Sequence, residues 1–201
     1  MAYASWATPS KVSGSGNDTV SWTGTNHTGR EARQTTATFS ASGVESKSLT
    51  IIQAGLAEFV TIDSAASVAK TGGSVTITGT SNSSKLTFAI TGTDNIGLTL
   101  PAAYTANSVS TNNGAAITGD PGAAQQYSFS ITFTNIAENT SIAALVSQIT
   151  VTANNATTAT CEITQAAGDA YLTISPTTIN LTAAGTAVNV SVSSNTSWTI
   201  S

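Results

Sequence analysis

The sequence predicts an all-β protein made of β-sandwich modules in tandem, with an incomplete module at each end, and three observations lead there. The first is composition: of 201 residues, 8% are charged and 40% hydrophobic, with a mean hydropathy of +0.11. Disordered chains show the reverse balance. Thr, Ser, Asn and Gly stand in place of charge, and they suit strands and tight turns better than helices. The second is alternation of period two, clearest in Leu86, Phe88, Ile90 and again in Tyr127, Phe129, Ile131, Phe133. The third is an internal repeat. Leu49-Thr50-Ile51-Ile52-Gln53-Ala54-Gly55 with Phe59-Val60-Thr61-Ile62 returns as Cys161-Glu162-Ile163-Thr164-Gln165-Ala166-Ala167 with Tyr171-Leu172-Thr173-Ile174, at one offset (165 − 53 = 112; 174 − 62 = 112).

Each copy of the repeat reads as the last strand of one module, a linker, and the first strand of the next. Residues 1–56 are then the C-terminal half of a module, 57–167 a complete module, and 168–201 the N-terminal half of a third. A module of about 110 residues with many short strands and regularly spaced turns fits an immunoglobulin-like sandwich.

The elements follow in order. Pro9 and Gly14-Ser15-Gly16 mark irregular structure, Thr19-Val20-Ser21-Trp22 alternates as a strand, and Asn26-His27-Thr28-Gly29 breaks it. Gln34 to Ala41 resumes the alternation, with Ala37, Phe39 and Ala41 on one face, and Leu49 to Gln53 follows. In the middle module Phe59 to Ile62 is a strand, and Val75, Ile77 and Gly79 share a face of the next. Short strands lie near Ala103 to Val109, between turns at Asp94-Asn95, Asn112-Asn113-Gly114 and Gly119-Asp120-Pro121-Gly122. Ile142 to Val146 is the one stretch that reads as a helical turn, and Ile149 to Val151 with Cys161 to Gln165 forms a closing hairpin through Asn154-Asn155. The last segment opens with Tyr171 to Ile174, continues through Ile179 and Leu181, turns at Ala183-Ala184-Gly185, and alternates at Val188, Val190 and Val192. Its Ser194-Asn195-Thr196-Ser197-Trp198 sits on Ser81-Asn82-Ser83-Ser84-Lys85 with one residue inserted (195 − 82 = 113).

Several function classes fall away. A net charge of −4 and a pI near 4.6, with no Lys/Arg cluster, make a poor footprint for nucleic acid. No apolar run approaches the ~20 residues that span a bilayer, so no membrane insertion is expected. The single Cys161 excludes an internal disulfide, and with the single His27 it offers no metal site of usual ligand count. Cys161 replaces Leu49 at the repeat offset and is expected to pack as a small apolar core residue. Met1 to Trp6 has neither a basic nor an apolar signal region and no lipoprotein cysteine, from which export by a secretory signal is not expected.

Catalytic chemistry finds little purchase. His27 lies in a polar turn with no patterned carboxylate, Asp63, Asp94, Asp120 and Glu138 occupy turns or strand ends where acids are common, and calcium at Asp94, Asp120 or Asn112-Asn113 lacks alternating oxygen ligands. No catalytic, cofactor or metal residue is assigned. Trp6 and Trp198 are expected in module cores. Trp22, sharing a strand face with Val20, also leans to the core but is the residue kept as a possible ligand or partner contact.

Tyr171 to Ser201, with Leu-Thr-Ile-Ser-Pro, Ala-Ala-Gly-Thr and Ser-Asn-Thr-Ser-Trp-Thr-Ile, resembles the front half of a BACON domain, an immunoglobulin-like module common in Bacteroidetes proteins. Trp6, Ser13 to Asn17, Thr19-Val20, Gly29-Arg30, Arg33 and Thr50 to Gly55 resemble its back half. The middle keeps the terminating Gln165 but has Lys85 in place of the Trp and a longer insertion. The resemblance implies modules used in arrays, on secreted or surface glycan-handling proteins and in virion proteins of phages. It attaches glycan binding to no particular residue here.

Half a sandwich leaves several core side chains in water, at about 1.5–3 kcal/mol each, against roughly 5–15 kcal/mol for a whole domain. The expectation is therefore that each half is completed by strand addition from another copy or another virion protein; a longer chain whose next residues finish the third module is the alternative. The reading is a non-catalytic phage virion component, a capsid decoration or fibre-type protein, with possible adhesion to glycans, located in the virion. The alternative is a carbohydrate-binding BACON protein of the bacterial surface. Gln53 and Gln165 are assigned to module closure, and Trp6 and Trp198 to core completion.

Overall fold

The computed structural model describes residues 3–201; Met1 and Ala2, the start of the stretch read for an export signal, lie outside it. The chain is all-β. Among the described residues fifteen strands run in order: β1 (Ala7–Pro9), β2 (Trp22–Gly24), β3 (Arg33–Phe39), β4 (Lys47–Gln53), β5 (Val60–Ile62), β6 (Ala65–Val68), β7 (Gly73–Ser81), β8 (Leu86–Asp94), β9 (Ala103–Ala106), β10 (Val109–Asn112), β11 (Tyr127–Ile136), β12 (Leu145–Ala153), β13 (Thr158–Gln165), β14 (Leu172–Ser175) and β15 (Ser191–Ser194).

The middle of the chain is a two-layer sandwich. One sheet has the order β10-β9-β11-β7-β5 and the other β6-β13-β12-β8. Alternation decides which residues face inward: Val75 and Ile77 on β7, Leu86 and Phe88 on β8, Phe129, Ile131 and Phe133 on β11, Ile149 and Val151 on β12, Cys161 and Ile163 on β13 are all buried in one cluster. Phe88 packs edge to face against Phe129, with centroids 5.6 Å apart. Cys161 is wholly buried, and burial pushes its thiol up to about 11. At the edge of the four-stranded sheet, β6 pairs parallel with β13 (Gln165 opposite Val68) and so covers its edge.

The ends of the chain form three two-stranded sheets, β1-β2, β3-β4 and β14-β15. The registers of the last two reproduce those of the middle. In β3-β4, Arg33 faces Gln53 and Ala37 faces Leu49; in β12-β13, Leu145 faces Gln165 and Ile149 faces Cys161, each residue displaced by one repeat (145 − 33 = 112; 161 − 49 = 112). In β14-β15, Leu172 faces Ser194 and Ile174 faces Val192; in β5-β7, Val60 faces Ser81 and Ile62 faces Gly79 (172 − 60 = 112; 194 − 81 = 113). The extra residue lies before the turn, because Gly72 N–H to Ala69 O and Gly185 N–H to Thr182 O are the same bond, at 3.0 and 2.9 Å. Both glycines have positive φ, 74° and 67°.

Some elements differ from expectation. Ile142 to Val146 makes no helical turn: Ser141 to Ala143 bends and Leu145 already starts β12, which needs the extended form to pair with β13. The strand expected over Thr19 to Trp22 begins only at Trp22, and that over Val188 to Val192 only at Ser191, since the earlier residues of each have no strand beside them. β6 gives no strand signal in the sequence, because Ala65-Ala66-Ser67-Val68 carries almost no hydrophobic alternation.

Candidate functional site

Between the β1-β2 and β3-β4 hairpins lies an open cleft of about 620 Å³, lined by Tyr3, Val20, Trp22, Ala37, Phe39 and Val44 among others. It exists because β3 and β4 carry a core-facing pattern with no opposing layer. Ala37 is buried, yet Phe39 is 46% exposed and Leu49 38%, whereas their counterparts in the middle, Val151 and Cys161, are wholly buried. Trp22 forms one wall, half-buried and T-shaped to Tyr3 at 5.1 Å. Trp6 is half-buried under the Arg33 guanidinium, 4.6 Å from its centroid.

The C-terminal hairpin is barer still. Leu172, Ile174, Leu181, Val188 and Val190 are exposed, and Trp198 is 48% exposed. The counterparts of Leu181, Val188 and Val190 are Val68, Val75 and Ile77, all in the core of the sandwich (181 − 68 = 113; 188 − 75 = 113; 190 − 77 = 113). Neither end is shapeless, because polar side chains fix both in the geometry of the middle. Asn82 accepts from Phe59 N–H at 2.7 Å and donates to Ala57 O at 3.0 Å; Asn195 accepts from Tyr171 N–H at 3.0 Å and donates to Asp169 O at 2.9 Å. Ser81 donates to Phe59 O at 2.6 Å and Ser194 to Tyr171 O at 2.9 Å.

The two closing glutamines are likewise equivalent. Gln165, 1% exposed, donates from Nε2 to Ala137 O at 2.8 Å, with Ala69 O and Lys70 O at 3.4 and 3.5 Å. Gln53 Nε2 donates to Thr25 O at 2.9 Å, the acceptor one repeat before Ala137 (137 − 25 = 112), while its Oε1 accepts from Arg33 Nε and Nη2 at 3.0 and 2.8 Å. Gln165 ties β13 to the carbonyls beyond both β6 and β11. Gln53 has only the second of those connections.

A clasp that sequence reasoning missed joins the N-terminal segment to the sandwich. Arg30 makes a two-pronged contact to Asp120 (Nη1 to Oδ2 2.7 Å, Nη2 to Oδ1 2.8 Å), donates from Nη2 to Asn82 O at 2.5 Å, and places Nε 2.8 Å from Glu58 Oε1. Burial raises the Asp120 carboxyl, but the hydrogen bonds from Arg30 and Gly122 N–H and the Arg30 charge outweigh it and hold the group below the usual range. Asp120 reciprocally raises Arg30. Glu58 is buried, and its Oε2 has no partner among the described residues. The signal available in sequence was the Gly29-Arg30 dipeptide, but nothing in spacing ties it to Glu58 or Asp120.

Asp63 and Asp94 hold turns and strands through their contacts. Asp63 accepts from Thr78 N–H and Oγ1–H, both at 2.8 Å, and these bonds lower its carboxyl. Asp94 accepts from Gly97 N–H at 3.0 Å and from Ser147 Oγ. His27 Nε2 lies 2.7 Å from Glu31 O. A second hollow, of about 640 Å³ on the outer face of the five-stranded sheet, is walled mainly by Thr and Ser with Asp63 at its edge. Among the described residues no group of three or more His, Cys, Asp or Glu could hold a metal ion, and no helix is long and apolar enough to cross a membrane. The strongest site-like feature is thus the pair of uncovered apolar faces at the two ends. No protein-family model and no curated protein matches the chain.

Proposed function

We propose that the chain is a non-catalytic structural and adhesion protein, a virion component of the capsid-decoration or fibre type, in which BACON-like, immunoglobulin-like modules are completed by strand sharing with neighbours. The observation that carries this reading is the repeat of registers at the two ends. The β3-β4 pair repeats the closing pair β12-β13 of the sandwich and the β14-β15 pair repeats its opening pair β5-β7, each with apolar residues in water where the middle has a core. Exposed faces on that scale mark interaction surfaces. A surface poor in charge and rich in Thr, Ser and Ala suits a lattice in which neighbours cover sheet edges. Electron microscopy of particles bearing the protein tests the reading: regular copies on a head or tail are expected, and absence from purified particles overturns it.

A second reading, a carbohydrate-binding module of the bacterial surface, has Trp22 in its favour, a half-buried indole on the wall of an open cleft. Glycan-array binding by the intact chain, lost in Trp22→Ala, would move the balance to it.

A further inference from the structure

Resting on the strand-sharing reading, we propose that the occupant of the N-terminal cleft is the C-terminal segment of a second copy of this chain, seated in one register: Thr178–Leu181 parallel to Thr50–Gln53, with Val188 and Val190 entering the cleft. The register comes from the sandwich itself. There Glu162 faces Ala65 and Gln165 faces Val68 in parallel pairing. Moving β13 back by one repeat gives Thr50 to Gln53 (162 − 112 = 50), and moving β6 forward by the offset that holds at the Gly72 and Gly185 turns gives Thr178 to Leu181 (65 + 113 = 178). This puts Leu181 where Val68 is buried against the core, and offers Gln53 the pair of carbonyls that Gln165 already reaches at Ala69 and Lys70.

The segments that lack strands agree with this placement. In the sandwich, the stretch of β7 carrying Val75 and Ile77 pairs with the stretch of β11 carrying Phe133 and Ile131. Its counterparts are Val188 to Val190 at one end and, allowing for the residue that the bulge between Phe133 and Ile136 adds to β11, Val20 to Trp22 at the other (131 − 20 = 111; 133 − 22 = 111), two stretches that alternate in sequence yet form strand only from Ser191 and from Trp22. Val20 and Trp22 line the cleft together with Ala37 and Phe39, so the incoming valines would meet these apolar side chains within a mixed lining.

One chain cannot do this to itself. The N-terminal segment is clasped at Asn82 and Asp120, by the end of β7, whereas the C-terminal segment is held by Lys70 to Asp169 and by Asn195 to Thr140 O at 3.2 Å, by its start. Nine residues of β7 separate these ends, about 30 Å of strand. The donor must belong to another molecule, and the contact is head to tail.

Variants with one introduced cysteine test the register. Thr50→Cys and Thr178→Cys both alter exposed residues, as are their counterparts Glu162 and Ala65, and the buried Cys161 does not compete. Mixed under oxidised glutathione, the two variants are expected to give a disulfide-linked dimer that neither gives alone, and Thr50→Cys with Asn180→Cys to give far less. Amide exchange at residues 50–53 and 178–181 should slow together as concentration rises. If the chain associates, but without the Thr50–Thr178 product and without protection at residues 50–53, this register is wrong while strand sharing by some other contact stands. A chain that stays monomeric at its highest soluble concentration overturns both. Neither result bears on whether the protein is found on particles.

Discussion

Glu58 is 7% exposed, and one of its oxygens has no partner among the described residues. The other meets Arg30 Nε at 2.8 Å and Ser84 N–H at 3.0 Å. Removing the cation leaves a buried carboxylate with one backbone donor, and breaking such a pair is costly. Arg30→Ala is therefore expected to lower stability by about 3 kcal/mol in denaturant melts, and Arg30→Lys to lose part of that, because an ammonium cannot hold Asp120 with two prongs. The same clasp sets an acid dependence. The Asp120 carboxyl is held below its ordinary value of 3.8 in the folded chain, so its contribution is full above that value and disappears as pH falls through the lower folded one. Thermal melts should show wild type losing stability below about pH 4 more steeply than Arg30→Ala, in which the depressing charge is gone. Equal slopes would show that the clasp is not what couples Asp120 to folding.

At the scale of elements, the two closing hairpins are one structure in two settings, and the glutamine on each reads out the setting. Gln165 reaches carbonyls beyond β6 and β11 from a wholly buried position. Gln165→Leu removes the bond to Ala137 O and the weaker contacts to Ala69 O and Lys70 O that a 1% exposed amide makes, and is expected to cost about 2 kcal/mol in a denaturant melt. Gln53 is half-buried beside open solvent, where water can replace its bond to Thr25 O. Gln53→Leu should cost the dilute chain less than half as much, and the gap should close as concentration rises and the neighbour's strand shuts water out. This equivalence was legible in the sequence, because the repeat preserves residue kinds and, in β-structure, residue spacing is register. The alternating strands of the core were legible for the same reason. What did not show was β6, whose Ala-Ala-Ser-Val gets its conformation from the β13 edge beside it, and the false helical turn at Ile142, where local propensity lost to pairing in β12. The Arg30 clasp was invisible for a different reason: its partners stand 28, 52 and 90 residues along the chain (58 − 30 = 28; 82 − 30 = 52; 120 − 30 = 90), and no periodicity links a loop cation to them.

For the whole molecule, the proposed seating of one copy's C-terminal strands in the next copy's N-terminal cleft predicts a polar assembly. A head-to-tail contact that does not close gives a filament, and one that does gives a ring. The two are separable with a variant that keeps the acceptor and spoils the donor. Val190→Asp places a carboxylate where the counterpart Ile77 is wholly buried, a burial that an unpaired charge strongly opposes. Val190 is itself exposed in the single chain, so the middle sandwich and its melt should be untouched. In a filament, a minority of Val190→Asp chains can still receive a neighbour's strands but cannot offer their own, so each one ends growth in one direction. Mean length by electron microscopy or sedimentation should then fall in proportion to the fraction of variant added. In a closed ring of few copies, one variant instead prevents closure, and sedimentation should show open oligomers no longer than the ring in place of it. If mixing changed neither length nor distribution while wild type alone associated, the apolar strand around Val190 would not be what joins one copy to the next.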